Sequence, residues 1–108
     1  MKIDIKATKI DLTEKIKEYT QKKMDMLEKY LGDIPVIECK VNLDLAVGGQ
    51  KTGKIYRTEV ILKLPKEQLV VERIEDELFK SIDKVKDHLV DSIIKHKEKL
   101  IDKKRQAE

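Results

Sequence analysis

The chain has 108 residues, a length that suits one small domain and leaves no room for a second core. Charged residues make up 42% and hydrophobic residues 40%, with no Trp, so the expected core is aliphatic and the persisting apolar periodicity argues against a disordered chain. No apolar run approaches the roughly 18–20 residues of a membrane span, and a net charge of +3 does not by itself indicate a partner.

The first 35 residues predict a strand followed by a helix. Residues 2–8 alternate strictly between apolar and polar side chains, which indicates a half-buried strand and not a signal peptide. A helix start follows, with Thr13 as the favoured N-cap and Asp11 as the other candidate. Its apolar face continues to Tyr30, after which Gly32 ends the helix and Pro35 prevents it from resuming.

The middle of the chain predicts three strands. Residues 36–47 have period two, residues 48–53 form a Gly-rich turn, residues 55–64 form a third strand, and residues 69–73 form a short strand at the sheet edge. The turn lacks the order of a phosphate-binding loop and connects two strands, so we dismiss that function for it. The inward set is Ile37, Cys39, Val41, Leu43, Leu45, Val47, Tyr56, Thr58, Val60, Leu62 and Leu64, and the outward set includes Glu38, Lys40, Asn42, Asp44, Arg57, Glu59 and Lys63.

The last third, residues 75–105, predicts one long helix that begins near Asp76. Its apolar stripe consists of Leu78, Ile82, Val85, Leu89, Ile93 and Leu100. A second line falls within about 80° of arc on another face and consists of Lys84, His88, Asp91, Lys95 and Lys99. One face of the helix should therefore lie on the core while the other presents cations to solvent.

The predicted fold class is α+β, a two-layer sandwich with the order β-α-β-β-β-α. The first β-α-β unit should be a right-handed crossover with parallel strands, followed by antiparallel hairpins. Because each strand has one apolar side, both helices must cover the same face of a four-stranded mixed sheet and leave the other face open.

Side chains suited to catalysis or metal binding do not converge. Cys39 has the register of a buried, inert thiol and no disulfide partner. His88 and His96 are eight residues apart without other ligands at zinc spacing, and His96 continues the apolar stripe as a core-edge histidine. We therefore expect that the protein is not an enzyme and that it binds no metal, cofactor or small-molecule substrate.

Positive charge is concentrated near the C-terminus. Residues 95–105 contain six Lys or Arg against Glu98 and Asp102. Charge alone leaves two interpretations equally open, a nucleic-acid or acidic-partner surface and a solvated helix end. The outward strand positions lack aromatic residues, and Tyr56 should face inward, so the pattern favours contact with the backbone of structured RNA over base stacking.

Four segments then resemble a known family: residues 12–19 (LTEKIKEY), 27–30 (LEKY), 56–60 (YRTEV) and 76–83 (DELFKSID). The chain is similar to ribosome hibernation promoting factors, also described as ribosomal subunit interface proteins or ribosome-associated inhibitors, over roughly residues 2–100. The resemblance implies a fold like that of double-stranded-RNA-binding domains and a partner, the small ribosomal subunit with its rRNA and ribosomal proteins. It implies docking in the decoding channel, where mRNA and tRNA sites are blocked and idle ribosomes are stored under stress. The expected rRNA-binding residues are Lys84, His88, Lys95, Lys97, Lys99, Arg57 and Lys63.

The chain departs from the family pattern at two places. His88 and Asp91 stand where a Lys and an Arg are common, and Val70 stands where an Arg is frequent on the fourth strand. A carboxylate in a phosphate-facing line weakens binding by repulsion. A divergent paralogue that acts as a protein-interaction module is therefore the alternative hypothesis.

The resemblance also sets the expected organisation. Residues 1–102 should form one ribosome-binding domain and residues 103–108 a basic tail, of a short form or of the N-terminal domain of a long form. We expect a cytoplasmic monomer with no membrane partner.

Overall fold

The computed structural model describes residues 1–47 and 53–107. In chain order, the elements are β1 (Asp4–Thr8), α1 (Glu14–Asp25), α2 (Glu28–Leu31), β2 (Glu38–Val47), β3 (Lys54–Leu64), β4 (Glu67–Glu75) and α3 (Leu78–Ala107). The strands lie in the order β1-β2-β3-β4, with β1 parallel to β2 and the other two pairs antiparallel. The predicted four-stranded mixed sheet with helices on one face is confirmed, and β4 is an edge strand as expected.

The first predicted helix is correct in position but is divided into α1 and α2. The Thr13 side chain accepts a hydrogen bond from the Ile16 backbone N–H at 3.2 Å, so Thr13, and not Asp11, is the N-cap. After α1 the Leu27 N–H bonds to the Met24 carbonyl, a tight turn that breaks the helical ladder. Gly32 then adopts φ +58° and ends α2, a conformation that glycine accepts at little cost.

The strands follow the predicted alternation, with one wrong assignment and one extension. Ile37 is 58% exposed, and it precedes β2, which begins at Glu38. β4 is longer than predicted because Pro65 and Lys66 form a two-residue turn, with Lys66 at φ +67°, and pairing starts at once between Leu64 and Glu67. The turn predicted at 48–53 and the side chain of Val47 lie largely outside the described residues.

A single aliphatic core lies between the helices and the inner face of the sheet. It joins Met24, Leu27 and Leu31 from the first helical segments to inward residues of β2, β3 and β4 and to the stripe of α3. Inside it, Ser81 Oγ donates to the Leu78 carbonyl at 2.7 Å and lies 2.6 Å from Thr58 Oγ1. Because the Ser81 proton is engaged, Thr58 is the donor in that contact and both buried hydroxyls are satisfied.

Helix α3 packs on β3 and β4 and extends past them. The predicted stripe is buried from Leu78 to Ile93, and His96 is buried at the core edge as expected, with 4% of its surface exposed. Leu100 was wrongly assigned to the buried stripe, since it is 43% exposed where the helix has passed the end of the sheet. The helix also runs through the predicted boundary at residue 102, so the backbone of residues 103–107 continues α3.

Within residues 1–47 and 53–107, every helix is too short or too polar to cross a lipid bilayer.

Candidate nucleic-acid interface

The second line predicted along α3 is exposed over its whole length. Lys84, His88, Asp91, Lys95 and Lys99 all face solvent. Because α3 lies over the edge strand β4, this line borders the inner face of that strand. The line therefore runs along the side of the molecule, where helix α3 and strand β4 meet.

Arg73 of β4 lies beside this line, although it was not among the predicted binding residues. Its Nη2 atom lies 3.4 Å from Nδ1 of His88. A shallow concavity of about 340 Å³ forms between the two elements, lined by Arg73, Lys84, Asp87, His88, Asp91, Ser92 and Lys95. A signal for Arg73 was available: it has the inward register of Leu69 and Val71, which places it on the helix side of an edge strand.

We call Arg73, Lys84, His88, Lys95 and Lys99 the α3 cationic row. Among the described residues, Lys84 and Lys95 have no carboxylate within ion-pair distance, whereas the neighbouring Asp87 is paired with Lys86. Lys99 is 70% exposed, with its Nζ 3.9 Å from Glu67 Oε1. Asp91 is the carboxylate that lies within the row. The row therefore presents cations whose charge is largely available to an external anion.

Lys97 points away from the row. It is half-buried, and its Nζ donates a hydrogen bond to the Tyr30 carbonyl at the end of α2, at 3.0 Å. This contact satisfies one of the carbonyls that a helix end leaves free. Lys97 thus holds α3 against α2, and only part of its side chain is open to solvent.

Arg57 and Lys63 lie on the outer face of the sheet, on the opposite side from α3. The structure therefore does not bring the seven predicted residues together into one surface. Lys63 is exposed beside the Glu38 and Gln68 positions of the neighbouring strands. A ligand that contacts the α3 cationic row along its length would have to pass around β4 to reach either outer-face residue.

Arg57 is surrounded by three carboxylates, which we call the Arg57 cluster. Its guanidinium donates to Glu72 at 2.5 Å, to Asp44 at 2.7 Å and to Glu59 at 3.0 Å. The hydrogen bond to Glu72 is the largest cause that raises the pKa of Arg57 above its ordinary value, with a further contribution from Asp44. One cation among three anions leaves the cluster with a net negative charge.

In the described parts of the chain, no three His, Cys, Asp or Glu side chains lie close enough together to hold a metal ion. His96 Nδ1 contacts the Glu67 carboxylate, and His88 contacts Arg73. Cys39 is buried, and burial raises the pKa of its thiol to about 11, so the thiol stays protonated and unreactive at neutral pH.

Comparison with known proteins identifies the family. Residues 3–101 match the model of the family described as Sigma 54 modulation protein / S30EA ribosomal protein. The chain is similar to the crystal structure of the Thermus thermophilus Protein Y N-terminal domain, with 29% identity, a TM-score of 0.77, and coverage of 89% of this chain and 99% of that one. It also shares its fold with a ribosomal subunit interface protein from Coxiella burnetii, at 17% identity and a TM-score of 0.73, over 91% of this chain and 99% of that one. The predicted family is thus confirmed: the chain belongs to the Sigma 54 modulation protein / S30EA ribosomal protein family.

Proposed function

We propose that this protein is a ribosome-binding translation inhibitor that docks on rRNA in the decoding channel of the small subunit. There it blocks the mRNA and tRNA sites and keeps idle ribosomes in hibernation. The observation that carries the proposal is the α3 cationic row, in which three exposed lysines of one helix, Lys84, Lys95 and Lys99, are joined by Arg73 from the sheet, with His88 beside Arg73. Family membership supports association with the ribosome.

The geometry of the row suits contact with a phosphate backbone. Lys84, His88, Lys95 and Lys99 follow one another at intervals of one or two helical turns, or about 6–11 Å along the axis. Lysine supplies point charges for phosphates, and the Arg73 guanidinium can donate two parallel hydrogen bonds to one phosphate. Such contacts position an RNA without reading its sequence, which fits a site of fixed shape such as a folded rRNA channel.

Base stacking contributes little to this mechanism. Tyr19 packs edge-on against Phe79 with ring centroids 4.5 Å apart, and Tyr56 is half-buried against the core. On the described part of the outer sheet face, no aromatic side chain is presented to solvent as a platform. Binding should therefore depend on charge and shape, and be strongly sensitive to salt.

The remaining predicted residues contribute unequally to RNA contact. Lys63 is exposed and can reach a second phosphate or a ribosomal protein on the sheet side. Lys97 contributes mainly by fixing the direction of α3 through Tyr30. Arg57 contributes least to RNA contact because Glu72, Asp44 and Glu59 already neutralise it.

Co-sedimentation with purified small subunits across a potassium chloride series tests the proposal. We expect binding at low salt and a linear fall of log K with log salt concentration, with a slope of about 0.9 per phosphate contacted. Absence of binding at low salt, or binding that salt does not weaken, would contradict the phosphate-contact mechanism. Small subunits that already carry mRNA and P-site tRNA should bind the protein more weakly, because these ligands occupy the same sites. Simultaneous binding of the protein, mRNA and tRNA would place the protein outside the decoding channel.

One observation favours the alternative, a protein-interaction module. Val70 and Ile74 are 52% and 57% exposed on the outer sheet face, next to the negative Arg57 cluster. A pull-down with the whole chain distinguishes the two functions. Recovery of ribosomal subunits supports ribosome binding, whereas recovery of one non-ribosomal protein without subunits supports the module.

A further inference from the structure

The end of α3 carries apolar side chains that the fold does not use. At the start of β4, Glu67 contacts His96, so the residues after His96 lie beyond the β3–β4 turn. There Leu100 and Ile101 are 43% and 51% exposed, and no element among the described residues covers them. The apolar stripe of α3 therefore continues past the core that it covers, and its last two side chains are open to contact by another molecule.

These side chains form one wall of a groove of about 610 Å³, which we call the terminal groove. The second wall is the segment of residues 31–35, with Leu31, Ile34 and Pro35, and the third is the β3–β4 turn with Pro65. The lining is therefore largely aliphatic, and the buried side chain of Leu31, 2% exposed, forms part of its floor. Such a cleft fits aliphatic side chains from a partner.

The walls of the terminal groove are held by contacts within the domain. Lys97 Nζ binds the Tyr30 carbonyl, which fixes α3 against the end of α2. The His96 contact with Glu67 fixes α3 against the start of β4. Because both contacts exist without a partner, the groove is pre-formed, and a ligand would lose little free energy in ordering it.

The charge around the terminal groove is positive. Lys66 and Lys97 line it against the single carboxylate of Asp33, and Lys104 follows Leu100 by one helical turn on the same side of α3. We propose that the terminal groove docks an acidic protein segment that carries aliphatic side chains. The aliphatic residues would enter the groove and the carboxylates would meet the lysines at its rim.

Charge and lining together favour this occupant over a second copy of the chain and over RNA. A second copy of this chain would bring the same lysines to the contact, and like charges would oppose each other. An RNA strand would satisfy the lysines but leave the aliphatic floor uncovered and its bases without aromatic partners. The acidic, aliphatic segment is the occupant that matches both features, and its binding does not depend on the proposed ribosome contact.

Fluorescence anisotropy with the whole chain and labelled synthetic peptides tests the docking. The probe is a Glu-rich peptide with Leu at positions i, i+3, i+4 and i+7. The controls are the same peptide with Leu replaced by Ser, a Lys-rich peptide with the same Leu spacing, and a single-stranded RNA oligonucleotide. We expect the acidic Leu peptide to bind at least tenfold more tightly than each control, with NMR shift changes confined to the groove walls. Equal or tighter binding of a control, or self-association that the peptide disrupts, overturns the proposal.

Matched variants localise the binding. Leu100→Ser and Ile101→Ser should each weaken the acidic peptide roughly tenfold, since each removes a contact of aliphatic surface. Ile94→Ser, at a position 40% exposed on the same helix but outside the groove, should leave it unchanged. Because all three positions are exposed, the variants should unfold at the same temperature as the parent. Equal weakening by Ile94→Ser, or none by Leu100→Ser and Ile101→Ser, contradicts the assignment.

Discussion

The α3 cationic row and the Arg57 cluster both contain arginine at the surface, but the row presents positive charge and the cluster presents negative charge. In the row, Lys84 and Lys95 project from a helix with no ion-pair partner among the described residues. In the cluster, Arg57 donates to three carboxylates that reach it from β2, β3 and β4. An exposed cation is available to a ligand only if its neighbours leave it unpaired, and those neighbours are set by the strand register.

The same distinction applies to carboxylates along α3. Asp83 accepts one hydrogen bond from the Tyr19 hydroxyl at 2.5 Å and pairs with Lys23 at 3.3 Å, so its charge is engaged within the domain. Asp91, two turns further, has no such partner among the described residues and stands in the cationic row. We therefore expect Asp91, and not Asp83, to repel an approaching phosphate.

Replacement of Arg57 should have the largest effect, and it should act on stability. Arg57→Gln removes the cation from among three carboxylates, whose mutual repulsion then opposes folding, and we expect a loss of about 2 kcal/mol because the guanidinium is only partly exposed. Urea unfolding measures this loss. Lys63→Gln on the same face is the control and should change stability by less than about 0.5 kcal/mol. Ribosome affinity of Arg57→Gln, measured at a temperature where the variant is folded, should stay within twofold of that of the parent, and a large affinity loss would show that the cluster does contact RNA.

Removal of two cations from the row should have the next largest effect, and it should act on binding. Lys84→Gln combined with Lys95→Gln should weaken small-subunit binding about tenfold and reduce the salt slope by about 1.8, as expected for two lost phosphate contacts. The charge-matched control is Lys6→Gln with Lys22→Gln, two exposed lysines away from the row. Equal losses in both double variants would mean that net charge, and not the row, controls binding.

A charge reversal at Asp91 should strengthen binding by a smaller amount. Asp91→Arg replaces a repulsive group with a cation in line with His88 and Lys95, so we expect a gain of a few-fold and a salt slope steeper by about one contact. Co-sedimentation at several salt concentrations measures both quantities. Asp11→Arg, with the same charge change at an exposed position before α1 and away from the row, is the control. An unchanged affinity for Asp91→Arg would show that this side of α3 does not face rRNA.

Local patterns predicted the fold well because each element is specified by nearby residues. Thr13, Gly32 and the alternation of β2 and β3 are short-range signals, and they led to the correct order and the correct inner face. Leu100 was misassigned because helical period continues regardless of where a sheet ends. The neutralisation of Arg57 could not be predicted, since it depends on Asp44 and Glu72 arriving from two other strands. Arg73 was missed although its register was readable, because its meeting with His88 depends on how α3 lies over β4.

The smaller of the two predicted effects on stability concerns the engaged carboxylate Asp83 and its partner Tyr19. Burial, followed by the hydrogen bond to Asp83, raises the pKa of Tyr19 to about 12 from its ordinary value of 10.0. Since the folded state favours the protonated phenol, this stabilisation is fully present below about pH 10 and is lost as the pH rises towards about 12. Tyr19→Phe should therefore be less stable than the parent near neutral pH, by about 1 kcal/mol, and the gap should narrow over that alkaline window. Urea unfolding at a series of pH values measures the gap, with Tyr30→Phe as the control. A gap that stays constant to pH 12 would mean that the folded state does not hold the Tyr19 phenol in its protonated form, and that Asp83 is engaged by Lys23 alone.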